Sequence, residues 1–298
     1  MSKPKLPTIR DFDRRFPDES ACLEHLMRVR YGEGFDCPKC NRDAHYYRIT
    51  GKRARRVYAC EWCGHQVSPT VGTPFEGSRT PLRSWFLVMF LFTTTRNGVA
   101  AKEIQRYTGV TYKCAFRIGH KIREYMGYVD GDAPLGGAGQ PPVELDHAFV
   151  GGRDRLGADD KKVVLGMLER GGDVIAKHVP DRSGKTLAPH VIENVKPGAR
   201  IMTDEDKAFR TLRDDFEMQS VNHARGTYVR GDCHVNSLEG FWASLKRGVN
   251  GTYVHVSQQH LQKYLFEFEY RHNLRHSPHL MFETLVRAFA APAAKAAS

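Results

Sequence analysis

The chain has 298 residues, 41% hydrophobic and 27% charged, the composition of an ordinary globular protein and not of a low-complexity or disordered one. Its 45 Lys and Arg exceed its 34 Asp and Glu, for a formal net charge of +11, which suits a polyanionic partner. The longest apolar run, Trp85–Phe92, is far short of the ~20 residues that span a bilayer, and the N-terminus lacks the apolar segment of a secretory signal, so a cytoplasmic protein with no membrane contact is expected.

A helix is predicted from Phe16 to Tyr31, where Cys22, Leu23, Leu26, Met27 and Val29 keep helical spacing behind Pro-Asp-Glu-Ser. It belongs to an N-terminal helical segment, 1–35. In the next unit, 36–68, Cys37-Pro-Lys-Cys40 and Cys60-Glu-Trp-Cys63 form the pattern C-x2-C-x19-C-x2-C. Each pair offers two thiolates from one tight turn, and two pairs complete a tetrahedral structural zinc site. A redox-active or iron–sulfur arrangement is the alternative, but matched knuckles around a basic hairpin favour Zn2+. Lys52, Arg53, Arg55 and Arg56 crowd that hairpin, a density suited to phosphate contacts. Cys22, Cys114 and Cys233 stand alone, unlike a secreted disulfide framework.

Residues 69–130 read as helical from Pro81 to Met126. Within them, Gly98–Arg123 has the pattern of a helix-turn-helix. Ala101, Ile104 and Tyr107 would supply one inner face, Thr108-Gly109-Val110 the turn, and Ala115, Ile118 and Ile122 the second inner face. Thr111, Tyr112, Lys113, Arg117, Lys121 and Arg123 are then candidates for outward groups. A plain helical hairpin with a solvated basic face is the alternative.

The Gly- and Pro-rich stretch 131–142 is a linker. Beyond it the pattern changes to strands at about 143–150, 163–170, 173–179 and 199–204, with helices at about 186–195 and 206–215. This order describes an α/β layer, a mixed sheet flanked by helices. Helices near 236–248, 257–272 and 279–290 complete a domain spanning 143–290, and the tail 291–298 is expected to be disordered.

Three carboxylates in this domain carry the chemistry. Asp146 lies in the apolar run Val143–Val150, Asp204 closes Ala199–Asp204, and Glu239 sits in the predicted helix Asn-Ser-Leu-Glu-Gly-Phe-Trp-Ala-Ser-Leu-Lys-Arg. Two strand-end acids and one helical acid can converge on two Mg2+ or Mn2+ ions, which hold the attacking and leaving oxygens of a phosphodiester. On a helix Asn236, Glu239, Ala243 and Lys246 share one face, so the lysine can meet a phosphate backbone near the ions. Rivals are present: Glu144 for Asp146, and Glu205 and Asp206 for Asp204, which could otherwise cap the following helix. His223 and His234 are read as structural hydrogen-bonding residues. Phe241 and Trp242 are read as core anchors of their helix.

Val-Glu-Leu-Asp-His-Ala-Phe-Val-Gly-Gly, Thr-Asp-Glu-Asp-Lys-Ala-Phe and His-Val-Asn-Ser-Leu-Glu-Gly-Phe-Trp-Ala-Ser-Leu-Lys-Arg-Gly resemble the bacterial insertion-sequence transposases with an N-terminal zinc ribbon and an RNase-H-like DDE domain. Tyr264–Arg275 resembles the helix that ends that domain. The resemblance implies binding of double-stranded DNA at terminal inverted repeats, cleavage at the element ends and joining of 3′-hydroxyls to target DNA. It implies Asp146, Asp204 and Glu239 as catalytic acids with Lys246 assisting, and a homodimer or larger assembly on DNA near the nucleoid. Members of the group vary at the third acid, some using Asn, and Asn236 lies one turn before Glu239. A metal-dependent nuclease on the same fold, and a catalytically idle zinc-ribbon DNA-binding regulator, are the competing readings.

Overall fold

A computed structural model describes residues 6–32, 35–50, 56–131, 133–151, 161–204, 207–221 and 235–291. Lys52, Arg53, Arg55, Glu205, Asp206, His223, Cys233, His234 and the tail 292–298 lie outside the described residues. The chain divides into two units: residues 1–94, 101–125 and 277–298 form the first, and residues 95–100 and 126–276 form the second.

In the first unit, helix α1 (Ile9–Arg15) starts at a capping box between Thr8 and Asp11, and Asp18 caps α2 (Glu19–Tyr31) through the Ala21 N–H. The ribbon follows as short paired strands: β1 (Phe35–Asp36) with β2 (Asp43–Ala44), and β3 (Tyr46–Arg48), β4 (Tyr58–Cys60) and β5 (Gln66–Val67) in that order. Tyr31, Phe35 and Tyr46 stack at 4.5 Å centroid spacing and join α2 to the ribbon. Helices α3 (Leu82–Thr94) and α4 (Ala101–Thr108), and most of α5 (Tyr112–Asp130), complete the expected helical stretch.

The last helix, α9 (Met281–Ala290), belongs to this first unit, although the sequence order placed it with the sheet domain. Its Phe282 packs on Phe12, Phe16 and Phe90, and its Phe289 on Phe75, Trp85 and Tyr125. Its Glu283 accepts from Arg15 at 2.7 Å and lies 3.2 Å from His25 Nε2. Those two partners bring the Glu283 carboxyl down to about 2.

The second unit is built on a five-stranded sheet in the order β10-β9-β6-β7-β8. The strands are β6 (Val143–Val150), β7 (Lys162–Glu169), β8 (Val174–Val179), β9 (Arg200–Asp204) and β10 (Glu217–Val221). β6 and β7, and β7 and β8, pair antiparallel, while β9 runs parallel to both β6 and β10. This mixed sheet, three antiparallel strands extended by two parallel ones, is the RNase-H-like arrangement expected. β10 was not predicted, and the helix expected at 206–215 is a short 3-10 helix, Lys207–Leu212.

Alternation along β6 assigns the two faces. Val143 and Leu145 join Ile201, Leu187 and Val191 in a core under α6 (Gly184–Asn194). Ala148 and Val150 join a second core under α7 (Asn236–Gly248) and α8 (Gln258–Asn273). Edge strand β8 is covered by side chains of α8. Asn273 and Gln262 each accept from and donate to its backbone at 2.8–3.0 Å, and Glu269 accepts from Ala176 N. An open strand edge is thereby closed to foreign strands.

A glycine sets how closely α7 docks. A Cβ on Gly166 of β7 would stand 2.9 Å from Leu238 Cδ1 and closer still to the Trp242 ring. Gly166→Val is therefore expected to push α7 off the sheet and destabilise the unit by about 1–3 kcal/mol, read as a lower midpoint in urea denaturation.

Candidate functional site

The four cysteines meet as expected. Their sulfurs all lie within 4.8 Å of one another, with Cys37–Cys63 at 3.6 Å and Cys40–Cys60 at 3.9 Å. Ligands at about 2.3 Å around a tetrahedral zinc stand about 3.8 Å apart, so the four thiolates fit Zn2+ closely. The two knuckles are built alike. Asn41 N donates to Cys37 O and Gly64 N to Cys60 O, and both residues after the second cysteine take positive φ, 52° and 68°. Asn and Gly are the residues that hold this left-handed conformation most readily. Burial pushes the Cys37 thiol up, but hydrogen bonding from Tyr46 and from the Cys40 and Lys39 backbone outweighs it and brings the group down to about 5.

Of the basic hairpin residues, Arg56 is committed inside the unit. It donates to Glu19 Oε1 at 2.8 Å and to Thr80 O at 3.2 Å, which corrects its assignment to phosphate contact. Helices α4 and α5 are joined through Gly109, φ 70°, and Ile104, Ala115, Ile118 and Ile122 are all buried as expected. Thr111, Tyr112, Lys113 and Arg117 are exposed at the start of α5. Two assignments change. Tyr107 is 62% exposed and faces outward, whereas Arg123 is 3% exposed and lies 4.9 Å from the Phe92 ring centroid.

In the second unit the β6–β9 ladder sets Leu145 against Thr203. One residue further along each strand, Asp146 and Asp204 stand side by side on the face covered by α7. Asp146 Oδ2 accepts from Trp242 Nε1 at 2.9 Å and Oδ1 from His147 N at 2.7 Å. Burial raises the Asp146 carboxyl above its ordinary value, and the neighbouring charge of Asp204 adds to the rise. Two adjacent, partly desolvated carboxylates are an unfavourable pair of anions that a divalent cation between them would relieve.

Trp242 is more than the core anchor read from sequence, because its indole N–H fixes one Asp146 oxygen. Around it, Leu238, Phe241 and Leu245 bury the sheet-facing side of α7. Asn236, Glu239, Ala243 and Lys246 are exposed on another side. The structure thus brings Asp146 and Asp204 together and places Glu239 one turn before Trp242 with its carboxylate in solvent. Among the described residues, the cysteines are the only three or more potential ligands within ligating distance of one another.

Glu144, the rival acid, has a different task. It is fully buried, accepts from Leu238 N and Ser237 Oγ at 3.0 Å, and pairs with Arg170 Nε at 3.1 Å. Residue 235, before α7, provides no side-chain cap; the carboxylate from β6 satisfies the helix terminus instead. The strand that carries Asp146 thereby also holds the turn that carries Glu239. The nearby Ser-Leu-Glu of the helix start was the available sequence signal, but a cap supplied from 94 residues away leaves no local pattern. Glu144→Ala leaves Arg170 and the helix N–H without their carboxylate and should cost about 3–5 kcal/mol in equilibrium unfolding. Glu144→Gln, which keeps an acceptor, should cost less.

Residues 17–66 match the family model of the transposase zinc-ribbon domain, and residues 134–273 match that of the ISXO2-like transposase domain. The chain therefore carries a ribbon similar to transposase zinc ribbons, followed by a domain similar to ISXO2-like transposase domains. An "Uncharacterized protein in transposable element ISH50" of Halobacterium salinarum is 27% identical over 290 residues, covering 89% of this chain and 94% of that protein. The second match ends three residues before the second unit does, ahead of α9. Among the described residues no helix is long and apolar enough to cross a membrane.

Proposed function

We propose that this protein binds the terminal inverted repeats of an insertion sequence, cuts at the element ends and joins the exposed 3′-hydroxyls to target DNA. The observation that carries this reading is the apposition of Asp146 and Asp204 on adjoining parallel strands, beneath the helix that bears Glu239 and Lys246. Water attacks the end phosphodiester and frees a 3′-hydroxyl; that hydroxyl then attacks a target phosphodiester and displaces a second 3′-oxygen. Asp146, Asp204 and Glu239 would hold two divalent ions, Mg2+ or Mn2+, which when bound supply Lewis-acid stabilisation of the attacking and leaving oxygens. Trp242 fixes the orientation of Asp146, and Lys246 contacts the DNA backbone. Asn236 shares the exposed side of Glu239 and orients it or replaces it as third ligand.

DNA recognition falls to the zinc ribbon and to the exposed start of α5, with Thr111, Tyr112, Lys113 and Arg117. Joining two ends calls for a homodimer or larger assembly, acting in the cytoplasm at the nucleoid. The name of the Halobacterium relative, a protein in a transposable element, supports the same reading.

A sulfur substitution at the scissile phosphate tests the metal role. Because Mg2+ prefers hard oxygen ligands and Mn2+ accepts softer ones, phosphorothioate end DNA should be cut slowly with Mg2+ and recover with Mn2+. Equal slowing in both metals would remove the ions from direct contact with that phosphate. In the same assay, activity retained by Glu239→Ala and lost by Asn236→Ala would transfer the third position to Asn236.

A further inference from the structure

At the carboxyl ends of the parallel strands β9 and β10, a cleft of about 220 Å³ opens next to Asp204. Phe209 and Met218 form its apolar floor, and Thr203 and Ser220, register partners on the two strands, line it with hydroxyls. Thr203 is almost fully buried. Among the described residues, the remaining wall is formed by Arg210 and Arg213, both exposed. By strand alternation Thr203 and Ser220 face the α6 side, whereas Asp204 faces the α7 side. The cleft and the paired aspartates therefore lie on opposite faces of the same strand end, with Asp204 bordering both.

The Thr203 hydroxyl donates to Asp204 Oδ1 at 3.5 Å, which leaves two guanidinium groups beside the Ser220 hydroxyl, a set that suits a tetrahedral anion taking several hydrogen bonds. Crevices outside the carboxyl ends of parallel strands are also where α/β sheets take ligands. The Asp204 carboxylate would repel an anion here, and its role as a metal ligand removes that objection, so the inference rests on the transposase reading above. We propose that this cleft seats a backbone phosphate of the cleaved DNA strand next to the reacting phosphodiester, with Arg210 and Arg213 as its ligands. A strand crossing the end of β9 then has one phosphate at Asp146 and Asp204 and the next held by the arginine pair.

The test compares the full-length protein with an Arg210→Gln, Arg213→Gln double variant on end duplexes carrying single neutral methylphosphonates on either side of the cleavage point. Both arginines are exposed, so the variant should keep the thermal midpoint of the parent. One methylphosphonate position should slow the parent about tenfold or more, the scale of a lost charge-assisted hydrogen bond. The double variant should be slow on normal DNA to a similar degree and lose nothing further at that position. Losses that multiply at every position, or a variant as fast as the parent, would overturn the proposal. Binding supplies a readout independent of cleavage: the log–log salt slope for the end duplex should fall by about 0.9 in the variant. If neither protein cuts, a reduced slope keeps the phosphate seat while the transposase reading fails. An unchanged slope discards the seat.

Discussion

Replacing Asp146 with alanine is expected to lower end cleavage by on the order of 10³-fold while leaving affinity for the end sequence intact. The size follows from the loss of a group that organises charge in the transition state, where single deletions cost about 10²–10³ in rate. Asp146 accepts a hydrogen bond from Trp242 Nε1, so alanine also leaves a largely buried indole donor unmatched, at about 1–3 kcal/mol. Asparagine keeps one acceptor oxygen, for Trp242 Nε1, but sets an amide NH2 where Oδ1 takes the His147 N–H. Burial and Asp204 both disfavour the Asp146 charge in the folded state, which offsets the lost His147 bond, so Asp146→Asn should lose less stability than Asp146→Ala at neutral pH. It should be as inactive as alanine. An active Asp146→Asn would reduce this carboxylate to a structural hydrogen-bond acceptor.

Loss of the zinc site has the second largest expected effect. Cys60 is fully buried at the start of one knuckle, and its backbone groups tie both ends of that knuckle. Structural zinc contributes about 10–16 kcal/mol to small folded sites, more than strands of two or three residues can supply themselves. Cys60→Ser should therefore release zinc, measured by atomic absorption, and unfold the ribbon. The aromatic packing of α9 against α1 and α3 does not involve the metal, so helical circular dichroism should largely persist. End binding should weaken at least tenfold. Unchanged affinity in a zinc-free protein would exclude the ribbon from DNA recognition.

The cysteine spacing, the strand order from β6 to β9 and the acid-bearing helix were legible because each writes a local pattern: paired thiols, alternation or a 3.6-residue period. Elements whose place depends on distant partners were not. Glu-Met-Gln-Ser-Val of β10 is a short strand at the sheet edge, with no strong alternation, and it becomes a strand because β9 offers it a parallel partner. Helix α9 has an apolar face that would suit either core, and its phenylalanines are selected by those of the first unit.

Side-chain direction was misread where spacing or charge stood in for geometry. Ala101 and Tyr107 lie six residues apart, about 120° around a helix, so they cannot share one narrow inner face with Ile104. Arg123 is charged, yet its guanidinium lies against Phe92 and the residue is buried, as long cationic side chains permit. At the acids, the sequence supplied Asp146 and Asp204 but could not show that Glu144 caps α7 or that Trp242 orients Asp146. Both interactions cross about 95 residues of chain.

The measurement closest to the central claim is strand transfer by the purified protein, using a labelled terminal-repeat duplex, a plasmid target and Mg2+, beside Asp204→Ala. The predicted result is a metal-dependent joined product that disappears in the variant while both proteins bind the end DNA alike. Joined product undiminished in Asp204→Ala would contradict the site. Cleavage without joining by the parent would make this a nuclease, and specific binding without either reaction would make it a DNA-binding regulator.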